Sequence, residues 1–212
     1  MKYAVIGVVV LFLAIPLARQ MSTEDDSNEL IVVKGDRFKS PALGFEMDLP
    51  KNWHQIDEKG RIKNLEKASE ELKDHEIGKT IDQVKDQVVQ LFQFTKYAPE
   101  SATGIISTMN CIAMKFPPNL SVTNLQRAQS SERNYRNAGP MITINRPAYE
   151  MDLNGYSVGV IDATIEMYGM KADQRHFMFS SNGFGVNIVL TYLDRTDEKI
   201  LMDLMNTFKK KD

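Results

Sequence analysis

Two Asn-Gly pairs constrain this chain more than anything else in it. Asn154-Gly155 and Asn182-Gly183 each stand between strand-like runs, which cover Met141–Leu153, Tyr156–Tyr168, Gln174–Ser180 and Phe184–Tyr192. Asn-Gly supplies the positive φ angles that a two-residue hairpin needs, and Gly169-Met170-Lys171 offers a third turn. Consecutive hairpins make an antiparallel sheet, whose faces must then be covered by helices.

The helices are legible as apolar stripes. Ser121 to Ala138 carries Val122, Leu125, Ala128 and Tyr135, and Gly139-Pro140 ends it. Asp194 to Lys210 carries Ile200, Leu201, Leu204, Met205 and Phe208, with Asp197 and Glu198 near its start, where acids suit the helix dipole. On this reading Phe208 lies on the inner face of the closing helix near Trp53, and Lys210 points to solvent. Between Ile62 and about Val89 the composition predicts two helices broken at Gly78. The first is striped by Ile62, Leu65, Ala68 or Ser69, and Leu72; the second by Ile81, Val84, Val88 and Leu91.

Four more strands precede and follow that stretch. Leu43–Leu49 alternates apolar and polar until Pro50 closes it, and Trp53–Ile56 reads as a short return. Leu91–Tyr97 and Gly104–Met114 come next, and Pro117-Pro118 stops the last. The expected class is α+β: a layered α/β sandwich with a mainly antiparallel sheet covered by helices, not a doubly wound nucleotide fold.

A hydrophobic segment comes before this domain. Tyr3 to Ala18 contains no charge and is bounded by Lys2 and Arg19. It reads as a secretory signal or an uncleaved membrane anchor. Residues 1–20 are thus the signal or anchor, 21–39 a tether and lead-in, and 40–212 a single domain. With Lys2 held inside, residues 21–212 are expected outside the cytoplasmic membrane, periplasmic or anchored to it.

Composition narrows the function by exclusion. Apolar residues make up 42% of the chain and charged residues 25%, as in an ordinary globular protein, and the net charge is −2. That leaves no basic footprint for nucleic acid. The single Cys111 cannot form an intrachain disulfide, and its strand-like neighbours predict burial. His54, His75 and His176 lack second ligands at metal-binding spacing. His54 reads as a turn residue and His75 as part of an exposed helix face. Arg175-His176 is the pair whose position matters most, with a structural or solvated role expected. Gly-x-Ser-x-Gly and Gly-rich phosphate loops are absent, and Gly183-Phe184-Gly185 reads as a hairpin turn. The twelve methionines are dispersed as core filler rather than clustered for copper. The expectation is no catalytic residue, no metal and no cofactor.

Two segments carry a family resemblance. Gly44-Phe45-Glu46-Met47-Asp48-Leu49-Pro50-Lys51-Asn52-Trp53 resembles the opening strand and turn of the PsbP-like and DcrB-like superfamily, with Asn52 where those proteins usually have Gly. The closing strands, helix and Thr207-Phe208-Lys209 are similar to that family's ending, so the resemblance covers roughly residues 40–212. It implies an α/β sandwich and a non-catalytic accessory role outside the cytoplasm. The expected function is that of an envelope accessory or binding protein acting through a protein partner or a small ligand, with the membrane touched only by an uncleaved N-terminal segment. The competing expectations are a hydrolase-type enzyme with a site of dispersed residues, or a purely structural envelope component.

Overall fold

The computed structural model describes residues 32–61, 63–64, 88–98, 104–117, 121–137, 140–167 and 169–211. The hydrophobic segment 3–18, most of the stretch expected to form two helices, and His75 lie outside these residues. Within them, every strand pairing is antiparallel.

The strands form two sheets. A small sheet joins β1 (Val32–Lys34), β2 (Arg37–Ser40), β3 (Phe45–Asp48) and the closing strand β12 (Lys209–Lys210). The large sheet runs in the order β4 (His54–Gln55), β5 (Val88–Thr95), β6 (Thr108–Lys115), β11 (Phe184–Tyr192), β10 (Met170–Ser181), β9 (Ser157–Met167) and β7 (Ile142–Ile144), and β8 (Tyr149–Asp152) also pairs with β9. β7 and β8 are one run along the β9 edge, interrupted where residues 145–148 loop out opposite Ile161 and Asp162. Pro147, which cannot donate to the ladder, sits in that interruption.

Both Asn-Gly turns form as the sequence predicts. Asn154, Gly155, Asn182 and Gly183 all have positive φ, at 54°, 83°, 49° and 79°. Asn52 also adopts positive φ, 62°, in the left-handed region that Gly and Asn tolerate best.

Two helices complete the layers. α1 (Asn124–Asn137) opens with a capping box: Thr123 Oγ1 accepts from Gln126 N–H at 3.1 Å, and the Gln126 side chain accepts from Thr123 N–H at 2.9 Å. Its buried face is Arg127, Ala128, Ser131 and Tyr135; Ala128 and Tyr135 belong to the expected stripe, whereas Val122 precedes the helix and Leu125 is only half-buried. α2 (Arg195–Met205) is capped by Asp194, which accepts from Asp197 N–H at 2.9 Å. This helix is shorter than expected. Ile200 is 40% exposed, and Phe208 lies beyond the helix end. Val88 and Leu91 belong to β5 rather than to a helix.

The main core lies between one face of the large sheet, the small sheet and α2. It includes Phe45, Phe92, Phe177, Phe179, Leu201, Met205 and Phe208, all 2% exposed or less. Phe208 stacks on Phe45 with centroids 5.5 Å apart and meets Phe179 edge-on at 5.1 Å. Trp53 is half-buried against this core. Cys111 is fully buried in it, and burial pushes its thiol well above the usual range. The opposite face of the large sheet carries α1 over β9 and β10. Gly159 permits this approach, since a Cβ there would stand 2.2 Å from the Asn124 carbonyl oxygen.

Candidate ligand-binding site

Alternation along a strand sends every second side chain to the same face. On the α1 side of the large sheet this produces three cross-strand rows. One runs Thr95, Thr108, Thr191, Gln174, Ala163; the next Gln93, Asn110, Val189, His176, Ile161; the third Gln90, Ile112, Asn187, Met178, Gly159. A bulge between Gln90 and Phe92 brings Gln90 and Gln93 to the same side despite their odd spacing. A solvated face would account for so many polar side chains, but these are buried. Gln93, Thr95, Thr108, Asn110, Gln174, His176, Asn187 and Thr191 are all at most 6% exposed.

Buried polar groups must find partners or pay for desolvation. Most do. Gln90 Nε2 donates to Asn110 Oδ1 at 2.8 Å. Gln174 Nε2 donates to Thr191 Oγ1 at 3.1 Å. His176 stands between Gln174 Oε1 on its Nε2 side and the Tyr135 hydroxyl on its Nδ1 side, each at 3.3 Å. The Gln174 oxygen can only accept, so Nε2 carries the proton. Burial drives the ring's pKa down to about 3, so it is neutral and Nδ1 is the nitrogen that accepts from Tyr135.

Asn187 is an exception. It is fully buried at the centre of the sheet, between Ile112 of β6 and Met178 of β10, and neither its amide nitrogen nor its oxygen has a partner among the described residues. One row away, Arg127 reaches down from α1 onto the carbonyls of Phe179 and Val186 and lies over the Phe116 ring, 5.0 Å from its centroid. Gly185 makes that approach possible, because a Cβ there would meet Arg127 Nη2 at 2.6 Å. Burial lowers the Arg127 pKa to about 10, so it stays charged.

Two further charged clusters lie on the other side. Asp162 accepts from Arg175 Nε and Arg146 Nε, each at 2.6 Å, beside Tyr149. Burial pulls the Arg175 pKa down, but the hydrogen bond and charge of Asp162 more than offset this and leave it raised. Asp197, buried at the start of α2, holds Ser107 Oγ at 2.5 Å and Lys96 Nζ at 2.8 Å. Both clusters are closed ion-pair networks that tie helix or loop to sheet. Among the described residues, no three His, Cys, Asp or Glu side chains converge as metal ligands.

The sequence singled out Arg175-His176, and the structure separates the two. Arg175 joins the Asp162 cluster on the core side, while His176 joins the polar face. His54 lies on β4 and is exposed. Gln90, Gln93, Asn110, Arg127, Asn187 and Thr191 were not among the expected residues. For all but Arg127, which lies on α1, the signal in the sequence is polar residues set into otherwise apolar strands, the one that solvated faces also give.

No protein-family model matches the chain, and no curated protein is similar to it in sequence. Solved structures do resemble it. Cyanobacterial PsbP (CyanoP) from Synechocystis sp. PCC 6803 superposes with a TM-score of 0.52 at 10% identity, over 90% of this chain and 98% of that one. LpqN of Mycobacterium tuberculosis, involved in cell envelope biogenesis, gives a TM-score of 0.46 at 13% identity over 79% of this chain and 83% of LpqN. A protein of Bacteroides thetaiotaomicron gives 0.47 at 12% identity over 85% of this chain, which spans half the length of that protein. The chain has a PsbP-like fold: an α+β sandwich of antiparallel sheets with helices on both sides.

Proposed function

We propose that this protein is a non-catalytic accessory protein of the cell envelope that holds a small polar ligand on the α1 face of its large sheet. One observation carries the ligand reading: the Asn187 amide is buried, with both its donor and its acceptor unpartnered among the described residues. Leaving such groups unmade costs about 1–3 kcal/mol each. A protein without use for the amide would be steadier with an apolar residue there. The surrounding Gln and Asn side chains, the neutral His176 and the cation Arg127 offer hydrogen bonds, with no activated nucleophile or carboxylate pair among them. The charge-free run Tyr3–Ala18 supports a position outside the cytoplasmic membrane.

Native mass spectrometry of the protein recovered from the envelope fraction of its own cells tests both halves. The expected result is a folded species carrying a bound small molecule, and an Asn187→Leu variant that lacks it while unfolding at the same or higher denaturant concentration. Recovery from the cytosol would remove the location. An apo mass for both proteins would remove the ligand.

A further inference from the structure

Arg127 is 8% exposed, and among the described residues no carboxylate pairs with it. Buried charges are ordinarily paired. Its bonds to the Phe179 and Val186 carbonyls engage two of its five N–H groups and supply dipoles rather than a counter-charge. A helix-to-sheet tie needs no more than this, yet two other groups on the same face also lack partners among the described residues. Ser180 Oγ is buried and unpartnered, and Ser180 stands opposite Gly185, over which Arg127 Nη2 lies. Asn187 is two residues along β11 on the same face, about 7 Å away by strand geometry. Phe116 and Ser180 are half-buried, and Asn187 is fully buried.

We propose that the polar patch formed by Arg127, Ser180 and Asn187 on the α1 face of the large sheet binds a small-molecule oxyanion, a carboxylate or a phosphate. Arg127 supplies the counter-charge, and the Ser180 hydroxyl and Asn187 amide nitrogen donate to the oxygens. This rests on the reading of the polar face as a ligand site and adds the chemical class. The guanidinium fork matches two oxygens of one group, so a planar carboxylate or a phosphate fits its remaining donors side by side. Gly185 is the enabling residue, since any side chain there would lift the guanidinium off the sheet. The Phe116 ring lies against the guanidinium, 5.0 Å from its centroid, and adds a cation–π contact.

The test is thermal unfolding of the full chain with sodium acetate, inorganic phosphate or acetamide, at ionic strength matched with sodium chloride. Each probe is run with the native protein and with Arg127→Met, Arg127→Lys and Asn187→Leu. At a hundredfold excess over Kd, acetate or phosphate should raise Tm by roughly 5 °C, and acetamide should not. The oxyanion giving the larger shift identifies the group. The shift should vanish in Arg127→Met, survive in part in Arg127→Lys and shrink in Asn187→Leu. If Arg127→Met fails to fold, Asn187→Leu decides, and a full shift retained there overturns the proposal. An anion shift unchanged in all variants places the binding elsewhere and also overturns it. A shift with acetamide equal to that with acetate, lost in Asn187→Leu but kept in Arg127→Met, overturns the oxyanion and leaves the ligand reading standing. No shift with any probe removes the oxyanion, and the bound mass in native spectra then judges the ligand site separately.

Discussion

His176 sits in a directed run of hydrogen bonds, from the Tyr135 hydroxyl to Nδ1, from Nε2 to Gln174, and from Gln174 to Thr191. Protonating the ring would force Nδ1 to donate where it now accepts. Burial favours the neutral form and outweighs the opposing charge of Asp162, which is why the pKa falls to about 3 against an ordinary 6.5. The sign follows from linkage: below pH 6.5 the unfolded chain binds a proton that the folded protein refuses, so stability is full above 6.5 and falls as pH drops toward 3. The slope is about 1.4 kcal/mol per pH unit. Urea unfolding at pH 7 and pH 5 should therefore differ by about 2 kcal/mol, and His176→Gln should show little difference between them. Glu46 and Glu132 have carboxyls held below their ordinary 4.5, the first by Lys211 against burial, the second by the Ala148 N–H and Arg136 against burial, so their contributions fade only at lower pH. A native protein equally stable at pH 7 and pH 5 would mean that His176 is hydrated. The sequence showed His176 on a strand but not its burial, because the helix that covers it is 41 residues earlier in the chain.

At the scale of elements, the end of the chain works as a latch. Phe208 is fully buried among Phe45, Tyr156 and Phe179, and Asn154 of the first Asn-Gly turn donates to the carbonyls of Asn206 and Phe208 at 2.7 and 2.8 Å. β12 then pairs with β3, joining both ends of the domain. Phe208→Ala should cost about 3–5 kcal/mol, the usual loss for a deleted core aromatic. Lys210 was expected to point freely to solvent. It is exposed, but its Nζ lies 4.8 Å from the Tyr156 ring centroid, so Lys210→Ala should cost less than about 1 kcal/mol rather than nothing. Equal midpoints for the two variants in denaturant would contradict the latch. The periodicity of Leu201, Leu204, Met205 and Phe208 is genuine, yet it spans a helix and the turn after it. Spacing alone does not reveal where a helix stops, because Asn206 ends it in ordinary right-handed geometry without a glycine. The hairpins were legible for the opposite reason. Each is specified by two adjacent residues whose φ requirement owes nothing to the rest of the fold.

At the scale of the molecule, the two sides of the large sheet obey different rules. The core side follows the apolar pattern, and from that pattern and the turns the sandwich could be read before any coordinates. The α1 side does not. Asn110, Asn187 and Thr191 occupy alternate positions that a half-solvated strand would give to polar residues, and only tertiary packing shows that they are covered. Local chemistry and global burial therefore conflict there, as they do at functional sites more often than elsewhere. Asn187 is where that conflict is sharpest. The most direct measurement is a high-resolution crystal structure of the protein purified without denaturation, with the electron density around the Asn187 amide as the readout. Non-protein density, larger than a water, is expected within hydrogen-bond reach of Asn187 and continuous toward Arg127. Density for protein atoms or single waters alone satisfying that amide would contradict it.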